Sequence, residues 1–236
     1  MPKSETSNCE LTPLTFNQHS FYLLPERALY WPAQNALIIA DLHLGKVQTF
    51  QRAGIAVPGG VMEDDLQRLS RLIANYKAQQ VIVLGDFTHH TSGLTRNVQS
   101  TLTAWLAQHK EVTVRVILGN HDRPSIAALQ QFNIDLIQHS LTLEKITLVH
   151  EFNANEQAAR KRNDNAEQKT QFNLCGHIHP VVRIPKSNLG NIPVFAIYQQ
   201  HAVLPAFSLF TGGHRIEIKK TKAVYAIAGQ HIVNLK

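Results

Sequence analysis

"ALIIADLHLGK", residues 36–46, opens as an unbroken apolar run and closes on an acid and an imidazole two positions apart. A short apolar run of this kind reads as a strand buried on both faces. Asp41 and His43 then stand at its carboxyl end, where open α/β sheets bind their ligands. The same event recurs four times. "VIVL" (81–84) is followed by Gly85-Asp86, and "VTVRVIL" (112–118) by Gly119-Asn120-His121-Asp122. "ITLV" (146–149) is followed by His150, and "FNLC" (172–175) by Gly176-His177-Ile178-His179.

Helical patterns separate the early runs. Met62, Leu66, Leu69, Ile73 and Tyr76 fall on one helical face, with Glu63, Asp64 and Asp65 in the first turn, where negative charge is favoured. Val98, Leu102, Trp105 and Leu106 mark a second helix. "PSIAALQQF" (124–132) predicts a short third one opened by proline. Strands alternating with helices predict an α/β fold. After residue 190 the pattern changes to strands joined by turns: "IPVFAIYQQHAVLPAF", "HRIEIKK" and "AVYAIAGQHIVNL", the last with a hairpin at Gly229-Gln230.

The chain has 236 residues, 44% of them hydrophobic, which suits one α/β domain over 1–236. No apolar run approaches the ~20 residues of a membrane span. "MPKSETSNCELTP" lacks the apolar core of a signal peptide. Two cysteines, Cys9 and Cys175, do not read as a disulfide framework, so the expected setting is cytoplasmic. The net charge of +6 favours a polyanionic partner. Residues 153–169 have no apolar face and predict a long, mobile surface loop carrying Arg160-Lys161-Arg162.

The strand-end residues have a shared chemistry. Asp41, His43, Asp86, Asn120, His150, His177 and His179 offer only nitrogen and oxygen atoms. Such donors suit divalent manganese, iron, cobalt or zinc. Seven are too many for one ion with an open position. They fit two ions that share a carboxylate, and Asp86, on a central strand, is the natural bridge. The glycines before Asp86, Asn120 and His177 would allow close backbone approach. Lys46 and Arg123 adjoin these residues and are candidate phosphate contacts. Arg183 would share the face of His179 if the chain between them is extended. His89 is expected to line the site and His90 to be exposed.

"DLH", "GD", "GNHD", the lone His150 and "GHIH" resemble, in order, the five motifs of the calcineurin-like metallophosphoesterases. "LLPERALYWPAQNALIIADLHLGK", "AGIAVPGG", "GNHDR", "CGHIHPVVR" and "LPAFSLFTGG" further resemble the ligase-associated DNA damage response endonuclease family, from about Leu23 to Gly213. The resemblance implies a four-layer sandwich: two mixed β-sheets packed face to face with flanking helices. It implies two divalent ions, manganese foremost, one on Asp41, His43, Asp86 and His179, the other on Asp86, Asn120, His150 and His177. His121 would be a catalytic residue, stabilising charge or protonating the leaving oxygen. Asp122 would either orient His121 or cap the 124–132 helix.

The function expected from this resemblance is phosphodiester hydrolysis in DNA, linked to repair, with a DNA ligase or helicase as further partners. The alternative is a phosphodiesterase or pyrophosphatase acting on a small or lipid-linked nucleotide. The lipid-linked class carries arginine where this chain has His121. A non-catalytic metal-binding scaffold would be expected to lack ligands, and none is missing.

Overall fold

The computed structural model describes residues 11–153, 172–184 and 190–236. The run at Ala36–Ile39 is a strand with every side chain buried. Leu37 and Ile39 enter one apolar core, Ala36 and Ile38 another. A strand that alternates between two cores must lie in a middle layer.

That strand is the fourth of a seven-stranded sheet whose spatial order is its chain order: β1 (Thr12–Phe16), β2 (His19–Leu24), β3 (Ala28–Trp31), β4 (Ala36–Ile39), β5 (Gln80–Leu84), β6 (Thr113–Ile117) and β7 (Asp135–Ile137). Pairing is antiparallel from β1 to β4 and parallel from β4 to β7. The parallel crossovers carry α1 (Lys46–Arg52), α2 (Val61–Tyr76), α3 (Arg96–Gln108) and α4 (Ile126–Leu129). Met62, Leu66, Leu69 and Ile73 of α2, with Val98, Leu102 and Trp105 of α3, cover Leu37, Ile39, Val81 and Val83 on the outer face of the sheet.

A second sheet follows: β8 (Ser140–Leu143), β9 (Ile146–Val149), β10 (Phe172–Cys175), β11 (Pro180–Val182), β12 (Ile192–Ile197), β13 (His201–Val203), β14 (His214–Arg215), β15 (Ala223–Ala228) and β16 (His231–Asn234). Its order is β14-β11-β12-β13-β10-β9-β8, with β15 on β12 and β16 on β15. β9, β10 and β13 run parallel, while β8–β9, β12–β13 and β12–β15 are antiparallel. Ile38, Ile82 and Leu84 of the first sheet pack with Ile146, Leu148, Leu174 and Phe195 of the second. Phe16 and Phe172 stack across this core with ring centroids 4.0 Å apart. Two mixed sheets with flanking helices are thus the architecture, as expected. On the second sheet's outer face a third core forms from Cys175, Val194, Ala196, Val203 and Val224, covered by Ile216, Ile218 and Leu235.

Some local expectations need correction. The helix over 124–132 is only a 3₁₀ turn at Arg123–Ser125 followed by the four residues of α4. The chain then turns at Phe132, whose N–H donates to the Leu129 carbonyl, and enters β7. "HRIEIKK" is a two-residue strand followed by a 3₁₀ turn at Ile218–Lys220, because Ile216 and Ile218 fold onto the third core. The expected loop at 153–169 lies outside the described residues from 154 onward. Among the described residues, no helix is long and apolar enough to cross a membrane.

Candidate metal centre

All seven candidate ligands stand just beyond strands: Asp41 and His43 after β4, Asp86 after β5, Asn120 after β6, His150 after β9, and His177 and His179 after β10. The turns there are strained. Asp41, His43, Asp86, His177 and His179 all have left-handed backbones, with φ between 46° and 72°. Non-glycine residues adopt this region at a cost of order 1–3 kcal/mol each, and such residues cluster at functional sites. The room for this comes from glycine: a methyl group on Gly119 would run into the carboxylate and backbone nitrogen of Asp86.

The side chains gather in two groups. In one, potential ligand atoms of Asp41, His43 and His179 lie within 4.8 Å of one another. His179 Nε2 is 3.4 Å from His43 Nε2 and 3.5 Å from Asp41 Oδ1. In the other, Asp86, His150 and His177 meet the same limit, and Asn120 joins them through its Oδ1, 2.9 Å from His150 Nε2. The His177-x-His179 pair is therefore split between the groups.

The second group converges on His150 Nε2. His150 Nδ1–H donates to the Leu84 carbonyl at 2.9 Å. That leaves Nε2 as the second ring nitrogen, 2.9 Å from Asn120 Oδ1, 3.0 Å from His177 Nδ1 and 3.5 Å from Asp86 Oδ1. Two imidazole nitrogens, an amide oxygen and a carboxylate oxygen thus face one another, a donor set that suits a divalent cation, and fixing one imidazole nitrogen by a hydrogen bond to leave the other for metal is the usual device. In the first group, burial and then Lys46 push His43 down to about 2, which keeps its ring neutral. Asp41 is fully buried, and burial pushes its carboxyl up while His179 opposes the shift. A cation there would offset the cost of burying the charge. The donor set therefore fits two divalent ions.

The remaining candidates separate. His121 sits beside the centre: its N–H donates to Asp86 Oδ1 at 3.0 Å and its Nδ1–H to the His89 carbonyl at 2.7 Å. The His89 ring stacks on it with centroids 5.0 Å apart, and burial brings His89 down to about 4. His43, His89 and His121 make a third histidine group. Lys46 is half-buried at the start of α1, and burial lowers its pKa against the pull of Asp41 and Asp86. His90 is exposed. Arg123 is also exposed, in the 3₁₀ turn after Asp122.

Two expectations fail. Asp122 neither orients the His121 ring nor caps a helix; it is fully buried and accepts hydrogen bonds from Phe87, Thr88 and Gly119. It cannot touch a substrate, so it holds loops rather than acting as a catalytic residue. Arg183 does not share the face of His179 by strand alternation. His179 has φ 46°, β11 begins only at Pro180, and Arg183 is exposed beyond its end.

The sequence did not point to a buried charge cluster on α2. Asp65 pairs with Arg68 at 3.0 Å, and Arg68 lies over the Phe207 ring, 4.1 Å from its centroid. Arg68 also donates to the Phe207 carbonyl and Arg27 to that of Ser208. The N–H of Phe207 in turn donates to the Ala40 carbonyl at 2.7 Å. This cluster thus holds the 206–208 segment against the backbone that presents Asp41. Glu151 also reaches His177 Nε2, at 3.9 Å.

Residues 35–190 match the calcineurin-like phosphoesterase superfamily domain. Among solved structures the chain is similar to Pseudomonas putida nuclease MPE, at 30% identity over 96% of this chain and 100% of that one, with a TM-score of 0.79. Similarity to Yfce, a phosphoesterase from E. coli, is more distant: 16% identity over 85% of this chain and 97% of that one, with a TM-score of 0.43. No curated protein matches the chain in sequence.

Proposed function

The chain belongs to the calcineurin-like phosphoesterase superfamily, and from that premise we propose that it is a phosphodiesterase that cleaves DNA with two manganese ions, in the service of cytoplasmic DNA repair. The superfamily is dinuclear and metal-dependent, and this chain is a metal-dependent phosphoesterase with two candidate ligand groups. The observation that carries the reading is the convergence of Asn120, His177 and Asp86 on His150 Nε2, whose ring is already anchored through Nδ1 on the Leu84 carbonyl.

We assign Asp41, His43 and His179 to one ion and Asn120, His150 and His177 to the other, with Asp86 shared. When bound, such ions neutralise phosphoryl charge and activate water. The chain's own residues then do three things. Lys46 adds a positive charge beside the carboxylates. His121, its Nδ1–H fixed on the His89 carbonyl, would take a second proton from solvent at Nε2 and pass it to the leaving oxygen. Buried Asp122 holds the loops of Asp86 and Asn120 in register. DNA as substrate is supported by the +6 net charge and by the likeness to a nuclease. Family resemblance adds a ligase or helicase as a working partner.

The test is a metal-reconstituted activity panel on the full chain: single- and double-stranded DNA, bis-p-nitrophenyl phosphate, a phosphomonoester and a lipid-linked nucleotide diphosphate. DNA cleavage that manganese restores after chelation supports the reading. Turnover of the lipid-linked nucleotide without DNA cleavage overturns it.

A further inference from the structure

Phe50 and Phe210 belong to none of the three apolar cores. Both are half-buried, and Leu209 beside them is 59% exposed. Their rings meet edge to face with centroids 6.0 Å apart. Phe50 also meets His89 edge to face at 5.8 Å, and His89 stacks on His121 at 5.0 Å. His121 in turn meets His43 at 5.2 Å. An unbroken row of rings therefore runs from the surface into the ligand groups. Contiguous apolar groups left out of every core beside a polar reaction centre are candidates for a binding surface.

The cationic neighbour supplies one. Lys46 and Phe50 are four residues apart on α1, so they share a face of that helix. Lys46 Nζ donates to Thr211 Oγ1 at 3.4 Å, next in chain to Phe210. A positive charge and an aromatic pair thus stand side by side at the rim. That is the combination by which proteins hold single-stranded nucleic acid: charge for the backbone phosphate, a ring face for the base.

We propose that Phe50 and Phe210 form a stacking platform for one nucleobase of the substrate strand, next to the nucleotide whose phosphate lies at the metal centre. This rests on the nuclease reading and adds a specificity to it. A base reaches a ring face only when it is unpaired, so the platform favours single-stranded over duplex DNA. Every base has a π-face, so it reads no sequence.

The experiment uses the full-length, manganese-loaded protein and a single-stranded oligonucleotide. Phe210→Ala and Phe50→Ala should each raise KM for that strand roughly ten- to a hundredfold, the range of a lost base–aromatic stack. The loss should enter KM rather than kcat, because stacking away from the reacting atoms binds ground and transition states alike. Phe210→Trp should keep the wild-type KM and Phe210→Leu should not, which separates stacking from apolar packing. A strand of the same length made of abasic nucleotides should give wild type and Phe210→Ala the same raised KM. If wild type cleaves DNA and the alanine variants keep its KM, or if Phe210→Leu behaves like wild type, the platform is wrong and the nuclease reading stands. If wild type cleaves no DNA, both readings fall together.

Discussion

Thr88 gives both of its donors to one oxygen of Asp122, its N–H at 2.7 Å and its hydroxyl at 2.9 Å. The other oxygen accepts from Gly119 N–H at 3.0 Å and Phe87 N–H at 3.2 Å. One buried carboxylate therefore ties the loop after β5 to the loop after β6. Asp122→Ala would leave these four donors without their acceptor, each at about 1–3 kcal/mol where no water reaches it, and should lower stability by at least about 4 kcal/mol in urea denaturation. Asp122→Asn should be milder but still destabilising, since an amide NH₂ must face N–H donors. Both variants should lose activity in proportion to lost metal. A stable, metal-replete and inactive Asp122→Asn would instead make Asp122 part of the chemistry.

His121→Ala should separate substrates by leaving group. A sugar alkoxide needs a proton to leave, and p-nitrophenolate does not. DNA cleavage should fall by ~10²–10⁴, the usual worth of a general acid, with a far smaller loss on bis-p-nitrophenyl phosphate and near-normal metal content. Equal losses on the two substrates would assign His121 to charge stabilisation instead.

Gly119→Ala tests the packing behind Asp86. The added methyl group meets the Asp86 carboxylate and its backbone nitrogen, so the carboxylate must move. A displacement of about an ångström at a reacting centre costs on the order of a hundredfold in rate. Metal analysis and kcat/KM should both fall while the circular dichroism spectrum stays that of wild type. Full metal loading and full activity would show that Asp86 is not held in a ligand position.

His201 lies between Phe152 and Tyr198, its ring stacked on theirs at 3.9 Å and 4.4 Å between centroids. Burial lowers it from 6.5 to about 4. The unfolded chain therefore takes up a proton below about pH 6.5 that the folded ring refuses until about pH 4. Stability linked to this group is intact above that window and is lost as pH falls through it. His201→Phe cannot take up the proton, so its urea midpoint should drop less than that of wild type between pH 7 and pH 4.5. Parallel curves for the two proteins would assign the acid sensitivity to other groups.

What could be read from the sequence was whatever a single strand decides for itself. "ALIIA", "ITLV" and "FNLC" are apolar enough to be strands wherever they pair, and a strand's end fixes where Asp41, His150 and His177 stand. Apolar spacing likewise found α2 and α3. What was hidden depends on segments far apart in sequence. Asp65 looked like a first-turn acid on α2, yet it is buried because residues 206–209 cross that turn. Asp122 looked like a local cap, yet its partners Phe87 and Thr88 lie more than thirty positions earlier. Arg183 was misplaced because period-two counting assumes an extended chain, and His179 is left-handed.

The centre straddles a seam. Asp41, His43, Asp86 and Asn120 come from the first sheet, and His150, His177 and His179 from the second. Among the described residues, the covalent link between the sheets is the passage of chain from β7 to β8. Ions held by ligands from both sides would act as reversible cross-links between the two halves of the polypeptide, and their binding energy would become folding energy. Metal supply would then set the stability of the molecule as well as its rate: by mass action, a hundredfold excess over Kd would add about 2.7 kcal/mol. A cell short of the metal would hold less of this protein, not merely a less active form of it.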